Sequence, residues 1–207
     1  LPWGFAHAEG ADVVLKLNKS LYGLKQAALC WYELLKKGLE DIGFRMKSNT
    51  PCLFIHPDVI CLVYVDDCLF FARDKGKIDA VITKLKKAGF SLKVEGDVNA
   101  FLGINISRTQ DGSFVLKQPS LIQRVLQATK MQDCHAKPTP AMVETLGTDV
   151  GGAPRKEDWS YPSVIGMMLY LSTNTHPDIA FAVHQCARFT NCAKALHEEA
   201  IKCICRY

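Results

Sequence analysis

Three observations predict an α+β chain in which antiparallel strands with packed helices are followed by a helical region. Apolar residues recur three or four apart through 20–43 and 75–89. Short apolar runs bounded by turn residues fill 52–72 and 90–117, and from 119 onward helical spacing returns on either side of a proline-rich stretch. Composition agrees: 207 residues, 48% hydrophobic and 22% charged, with a mean hydropathy of +0.03, exclude a disordered tail, a collagen-like chain and a low-complexity protein. That length is enough to bury a core. No apolar run approaches the ~18–20 residues of a membrane span, and residues 1–20 lack the charged start and apolar centre of a signal peptide. A soluble, cytoplasmic protein with no membrane partner is expected. The chain opens on Leu1 and stops at Tyr207 inside an amphipathic pattern, which reads as a piece of something longer.

Taken in order, 20–43 places Leu24, Ala28, Trp31, Leu35 and Leu39 on one helical face, with Ser20 as its expected cap and Gly43 near its end. Residues 52–56 and 59–72 read as strand, turn at Pro57-Asp58, strand, two aspartates, strand. A helix follows at 75–89 through Ile78, Val81, Ile82 and Leu85, stopped by Gly89. Residues 90–94 and 101–108 read as strands, and Asp111-Gly112 between apolar residues signals a hairpin. A capped helix is expected at 119–131. The stretch 132–162 carries Pro138, Pro140, Pro154 and Pro162 with Gly151-Gly152 and reads as an extended linker, and two helices, 163–175 and 177–207, part at His176-Pro177.

The formal charge of +4 is too small to argue for nucleic acid by itself. Its distribution says more. Arg73, Lys75, Lys77, Lys84, Lys86, Lys87 and Lys93 face only Asp74 and Asp79 in their stretch, a pattern that fits either a solvated helix face or a phosphate-binding surface. None of the nine cysteines is spaced C-x-x-C, and Cys61, Cys68 and Cys203 sit in apolar patterns, so reduced thiols are expected in place of a zinc site.

The sharpest chemical feature is Tyr64-Val65-Asp66-Asp67. Adjacent carboxylates in an apolar, partly buried hairpin repel and resist desolvation, and a bound cation relieves that cost. Neighbouring side chains reach one metal cluster only if they occupy a turn, and hard oxygen donors favour Mg²⁺ or Mn²⁺ and two-ion phosphoryl transfer. The other reading of the tetrapeptide is an exposed Asp-Asp turn between two strands.

Further motifs stand in a fixed order around it. They are Lys19-Ser20-Leu21-Tyr22-Gly23-Leu24-Lys25-Gln26-Ala27 followed by Trp31-Tyr32, then Phe101-Leu102-Gly103-Ile104, Tyr161, Tyr170-Leu171, and His176-Pro177-Asp178-Ile179-Ala180-Phe181-Ala182-Val183. In this order the chain resembles, nearly end to end, the reverse transcriptase of copia-type long-terminal-repeat retrotransposons. The resemblance implies an RNA-directed DNA polymerase and a partial right-hand polymerase palm followed by a helical thumb and connection region. Residues 1–118 would be the partial palm, 119–131 a thumb-like helix, 132–162 the linker, and 163–207 a connection towards a ribonuclease H domain.

By the same resemblance Asp66 and Asp67 are the catalytic, metal-binding pair, with Mg²⁺ or Mn²⁺ as cofactor. Tyr64 lies near the primer end, and Gly23, Lys25 and Gln26 belong to the template- and nucleotide-contacting element. Phe101, Leu102 and Gly103 resemble the strand that grips the primer, and Lys93 is a candidate proton donor to pyrophosphate. The residues alone also allow core packing for Phe101 and Leu102, a packing glycine at Gly23 and a plain surface lysine at Lys93. Implied partners are an RNA template, a DNA primer, deoxynucleoside triphosphates and the rest of a Pol polyprotein, with upstream fingers and palm and a downstream ribonuclease H, in a cytoplasmic virus-like particle.

The chain also departs from the family. A further catalytic aspartate is expected on a strand upstream of the Ser20 helix, where Glu9 and Asp12 are the only acids, and Asp12, before Val13-Val14-Leu15, is a poor substitute. Ala28-Leu29 replaces the Pro-Arg usual after Gln26-Ala27, and Asn191 to Lys194 and Ile201 to Cys203 replace a proline-containing turn and Lys-Arg. Two expectations follow: a polymerase fragment inactive by itself for want of the third carboxylate, or a decayed element product that at most binds nucleic acid or protein.

Overall fold

The computed structural model describes residues 16–96, 98–142 and 144–207. Glu9, Asp12 and the Val13-Val14-Leu15 segment that follows it lie outside the described residues. The chain is α+β with two antiparallel sheets and, among the described residues, six α-helices. It divides at Val94/Glu95 into two compact units, so the segment 1–118 spans both.

In the first unit, helix α1 (Ala27–Asp41) precedes strands β1 (Arg45–Lys47), β2 (Thr50–Ile55), β3 (Val59–Tyr64) and β4 (Asp67–Ala72), and helix α2 (Lys75–Lys87) follows. The four strands pair in sequence order, all antiparallel. Alternation along each strand sends one set of side chains to the helices. Phe54, Val59, Cys61 and Val63 are buried with Leu35 and Leu39 of α1, Phe44, and Val81 and Leu85 of α2. Cross-strand partners on the opposite face are apolar as well: Ile55, Ile60 and Phe71 form one row, and Leu53, Leu62 and Leu69 the next. Ile55, Ile60 and Phe71 are exposed.

Helix α2 starts and stops as the sequence predicts. The Asp74 carboxylate accepts from the Gly76 amide at 2.9 Å, and Lys84, Lys86 and Lys87 in the last turn complement the helix dipole. Helix α1 does not begin at Ser20. Residues 20–26 form exposed turns in which Gly23 takes φ +91°, and the first helical residue is Ala27. Periodicity cannot register that left-handed residue, which ends any helix running through it. Residues 90–94 are irregular and not a strand, although Phe90 packs beneath α1: a Cβ on Gly38 would lie 2.4 Å from its ring.

In the second unit β5 (Ala100–Phe101), β6 (Ile104–Arg108) and β7 (Phe114–Lys117) form an antiparallel sheet. The single strand expected at 101–108 is split by a tight turn at Leu102-Gly103. The hairpin at Asp111-Gly112 is present, its Asp111 carboxylate accepting from the Thr109 hydroxyl and the Ser113 amide. Helices α3 (Pro119–Thr129), α4 (Tyr161–Asn174), α5 (Ala180–Ala187) and α6 (Ala195–Cys205) share a core containing Val125, Tyr161, Val164, Met168, Val183 and Ile201. The helix expected over 177–207 is a 3-10 turn, Pro177–Ile179, followed by two helices, because Arg188–Lys194 turns away from helical geometry around Thr190-Asn191.

Residues 132–160 carry no helix or strand among those described, yet Leu146 and Trp159 are buried in this core. A polar cluster fastens the stretch to α6. The ring of fully buried His197 accepts from the Lys194 amide through Nδ1 at 2.9 Å, which assigns the proton to Nε2, 2.8 Å from the Gly147 carbonyl. Glu198 beside it accepts from the amides of Lys156 and Glu157, each at 3.3 Å.

Burial pushes the Cys186 thiol up to about 12, and it pushes the Tyr161 hydroxyl, which donates to the Cys186 carbonyl at 3.0 Å, upward as well. A raised folded-state value makes this contribution fully present below the unfolded thiol range and loses it as pH climbs towards 12. Urea midpoints should therefore fall between pH 8 and pH 10, with about 1 kcal/mol traceable to Cys186 by comparison with Cys186→Ala. A midpoint difference between the two proteins that is independent of pH would contradict this.

Candidate functional site

The Tyr64–Asp67 motif sits at the tip of the β3–β4 hairpin. Tyr64 pairs directly with Asp67, leaving Val65-Asp66 as a two-residue connection. Val65 takes φ +53° and Asp66 does not share the positive φ, the pattern of a type II′ turn, whose first central position favours glycine. A β-branched residue there costs roughly 1–2 kcal/mol. The surroundings must hold it, and one contact is evident. The Trp31 indole N–H of α1 donates to the Val65 carbonyl at 3.0 Å.

Trp31 is itself placed by packing. It meets the Phe90 ring edge-on at 6.4 Å and 70°, and Phe90 fills the space left by the missing side chain of Gly38, one helical stretch along the same face. From the next position on α1, the Tyr32 hydroxyl donates to the Pro51 carbonyl at 2.9 Å, tying the helix to β2.

Asp66 occupies the turn, while Asp67 and Tyr64, as direct cross-strand partners, project to the apolar outer face of the sheet. Both aspartates are exposed. Of the two readings of the tetrapeptide, the partly buried and electrostatically expensive pair is therefore corrected and the exposed position is the one found: at a hairpin tip both carboxylates keep their water. Among the described residues no group of three or more His, Cys, Asp or Glu side chains is arranged to hold a metal ion.

The remaining predicted residues fall in three places. Gly23, Lys25 and Gln26 lie together in the exposed turns before α1. Lys93 is exposed on the irregular segment after α2. Phe101, Leu102 and Gly103 belong to the second unit, where Leu102 (φ +51°) and Gly103 (φ +76°) form the two-residue tip between β5 and β6. Positive φ at both central residues is the type I′ pattern. The Tyr170 hydroxyl of α4 donates to the Leu102 carbonyl at 2.6 Å. Trp31 and Tyr170 stand among the motifs quoted above, Trp31 also on the helical face, but neither was given a role of its own. An aromatic on a helical stripe reads as core, and only the fold shows where its polar atom points.

Comparison with known proteins gives a consistent result. A family model described as reverse transcriptase (RNA-dependent DNA polymerase) matches residues 1–143. The whole chain aligns with the retrovirus-related Pol polyprotein from transposon TNT 1-94 of Nicotiana tabacum, 33% identical and spanning 16% of that protein. It also aligns end to end with the retrovirus-related Pol polyprotein from transposon RE1 of Arabidopsis thaliana, 32% identical over 14% of its length. A transposon Ty5-1 protein of Saccharomyces cerevisiae is 29% identical, and the chain covers 68% of it. No solved structure gives a significant match. Among the described residues no helix is long and apolar enough to cross a membrane.

Proposed function

The chain belongs to the reverse transcriptase (RNA-dependent DNA polymerase) family, with relatives among copia-type transposon Pol polyproteins, and from that premise we propose that its first unit is part of a polymerase palm acting on a primed RNA template. The observation that carries this reading is the presentation of Asp66 and Asp67, exposed and adjacent, at a strained hairpin tip held from α1. Both carboxylates reach solvent without a desolvation cost, as donors to Mg²⁺ or Mn²⁺ must. When bound, such ions supply the Lewis acidity of two-metal nucleotidyl transfer.

Two aspartates are two of the three carboxylates that the family's chemistry uses. Strand β4 pairs with β3 alone among the described strands, so its free edge beside Asp67 is the natural place for a further strand bearing the third. The exposed basic residues of 73–93 supply charge for a phosphate backbone. Helix α3 takes the thumb-like role, and 163–207 the role of a connection region.

The isolated 207 residues should bind Mn²⁺ weakly, with a dissociation constant of about a millimolar, and extend a primed RNA template poorly or not at all. Mn²⁺ titration followed by electron paramagnetic resonance tests the site: Asp66→Ala should weaken binding at least about tenfold, the scale of one lost charged ligand. Equal binding by the two proteins would sink the assignment of the site. Robust Mg²⁺-dependent extension abolished by Asp66→Asn would show instead that the third carboxylate is not needed from elsewhere.

A further inference from the structure

The two hairpin tips share a construction. Each is a two-residue connection whose first central residue is bulky and left-handed, Val65 at φ +53° and Leu102 at φ +51°. Each has the carbonyl of that same residue held by one aromatic donor from a helix of its own unit, Trp31 Nε1 at 3.0 Å and Tyr170 Oη at 2.6 Å. Glycine would relieve the strain at either position, so the bulky residue is kept against its backbone preference, and the donor opposes the relaxation that the strain favours.

From this pairing we infer that Trp31 and Tyr170 are positioning residues, each locking the peptide plane at a hairpin tip so that the next residues are presented in one orientation. In the first unit the locked plane joins Val65 to Asp66. Rotation of that plane would carry the Asp66 backbone with it, so the indole N–H fixes where the Asp66 carboxylate stands relative to Asp67. In the second unit the phenol fixes the Leu102–Gly103 peptide and with it the projection of the Leu102 side chain, which is 38% exposed. The inference deepens the polymerase reading and rests on it for the purpose of the locks, while the locks themselves are properties of the fold.

The test removes one donor at a time and leaves the ring. Tyr170→Phe deletes only the hydroxyl. At position 31, benzothienylalanine introduced by ligation keeps the bicyclic shape with sulfur in place of N–H, and Trp31→Phe serves as the genetically encoded second variant. Amide hydrogen exchange is read without any cation at residues 64–67 and 101–104. Each lost bond should speed exchange in its own turn about tenfold and leave the other turn unchanged. Tyr32→Phe, which removes the bond to the Pro51 carbonyl, should leave both turns unchanged.

Mn²⁺ affinity at Asp66 and Asp67 should fall several-fold in the benzothienylalanine protein and stay at the wild-type value in Tyr32→Phe. Wild-type exchange in the benzothienylalanine and Tyr170→Phe turns would overturn the inference, as would an equal acceleration in Tyr32→Phe. Absence of Mn²⁺ binding in the wild-type protein would instead sink the polymerase reading of the site, with the exchange result still deciding whether the locks exist.

Discussion

Replacing Glu198 by alanine should lower the stability of the second unit by about 3 kcal/mol, the low end of what removing one partner of a buried ion pair costs. Glu198 is 2% exposed, and its carboxylate gathers the Lys156 and Glu157 amides, Lys202 Nζ at 3.3 Å and Arg155 Nε at 3.6 Å. Alanine leaves the two amides without their acceptor and takes one carboxylate from each cation, although Lys202 keeps Glu157 and Glu199 and Arg155 keeps the Trp159 carbonyl. Burial works against the charge on Lys202, but its bonds to Glu157 and Glu198 override that and hold its ammonium above the usual lysine range.

Water reaches the side chains of Arg155 and Lys202, each 21% exposed, which keeps the cost at the lower end of the range. Arg155 also lies over the Trp159 ring at 4.4 Å, so the loss should propagate into the buried end of 132–160. Urea unfolding followed by near-ultraviolet circular dichroism measures it. Glu198→Gln, which keeps the size and one acceptor, should lose about half as much, on the order of a charged hydrogen bond. A loss under about 1 kcal/mol for Glu198→Ala would place this cluster with surface ion pairs instead.

Gly38→Ala should destabilise the first unit by about 2 kcal/mol, the middle of the range for overpacking a filled core. The sign is not obvious from the helix alone, because alanine inside a helix is favoured over glycine by about 1 kcal/mol. Here the new Cβ would stand 2.4 and 2.5 Å from two atoms of the Phe90 ring, so the ring must leave its place. Trp31 rests edge-on against that ring and would follow it, moving the indole N–H away from Val65.

Two readouts separate the packing from its consequence. The urea midpoint reports the packing, and the shift in tryptophan emission, taken against a Trp31→Phe control that leaves only Trp3 and Trp159, reports the indole. Phe90→Leu in the Gly38→Ala background should recover at least half of the loss, since neighbouring substitutions couple by about 0.5–3 kcal/mol. A midpoint that rises in Gly38→Ala would show that the ring has room to yield.

The contrast between α1 and α2 shows what the sequence makes legible. The apolar stripe and Gly89 locate α2 because its face and stop are local signals, and the Asp74 cap, not singled out from the sequence, agrees with them. Helix α1 has the stripe but a left-handed Gly23 before it, and a periodic pattern carries no information about φ. Residues 90–94 alternate like a strand, yet a strand exists only where another offers its backbone, and Phe90 is engaged by α1. Asp66-Asp67 was legible as a site between two strands, but the sequence left a partly buried pair and an exposed turn both open, since burial depends on what packs over the tip, and it did not show that Asp67 already belongs to β4. The contacts of Trp31 and Tyr170 were hidden for the same reason: their partners are carbonyls 34 and 68 residues away, and a carbonyl has no residue type to recognise.

The outer face of the first sheet governs how this protein behaves in a test tube. Rows of isoleucine, leucine and phenylalanine beside a β4 edge that no described strand pairs make a surface on which a second chain can stack and hydrogen-bond at once. An apolar face beside an open strand edge favours self-association, which rises with concentration.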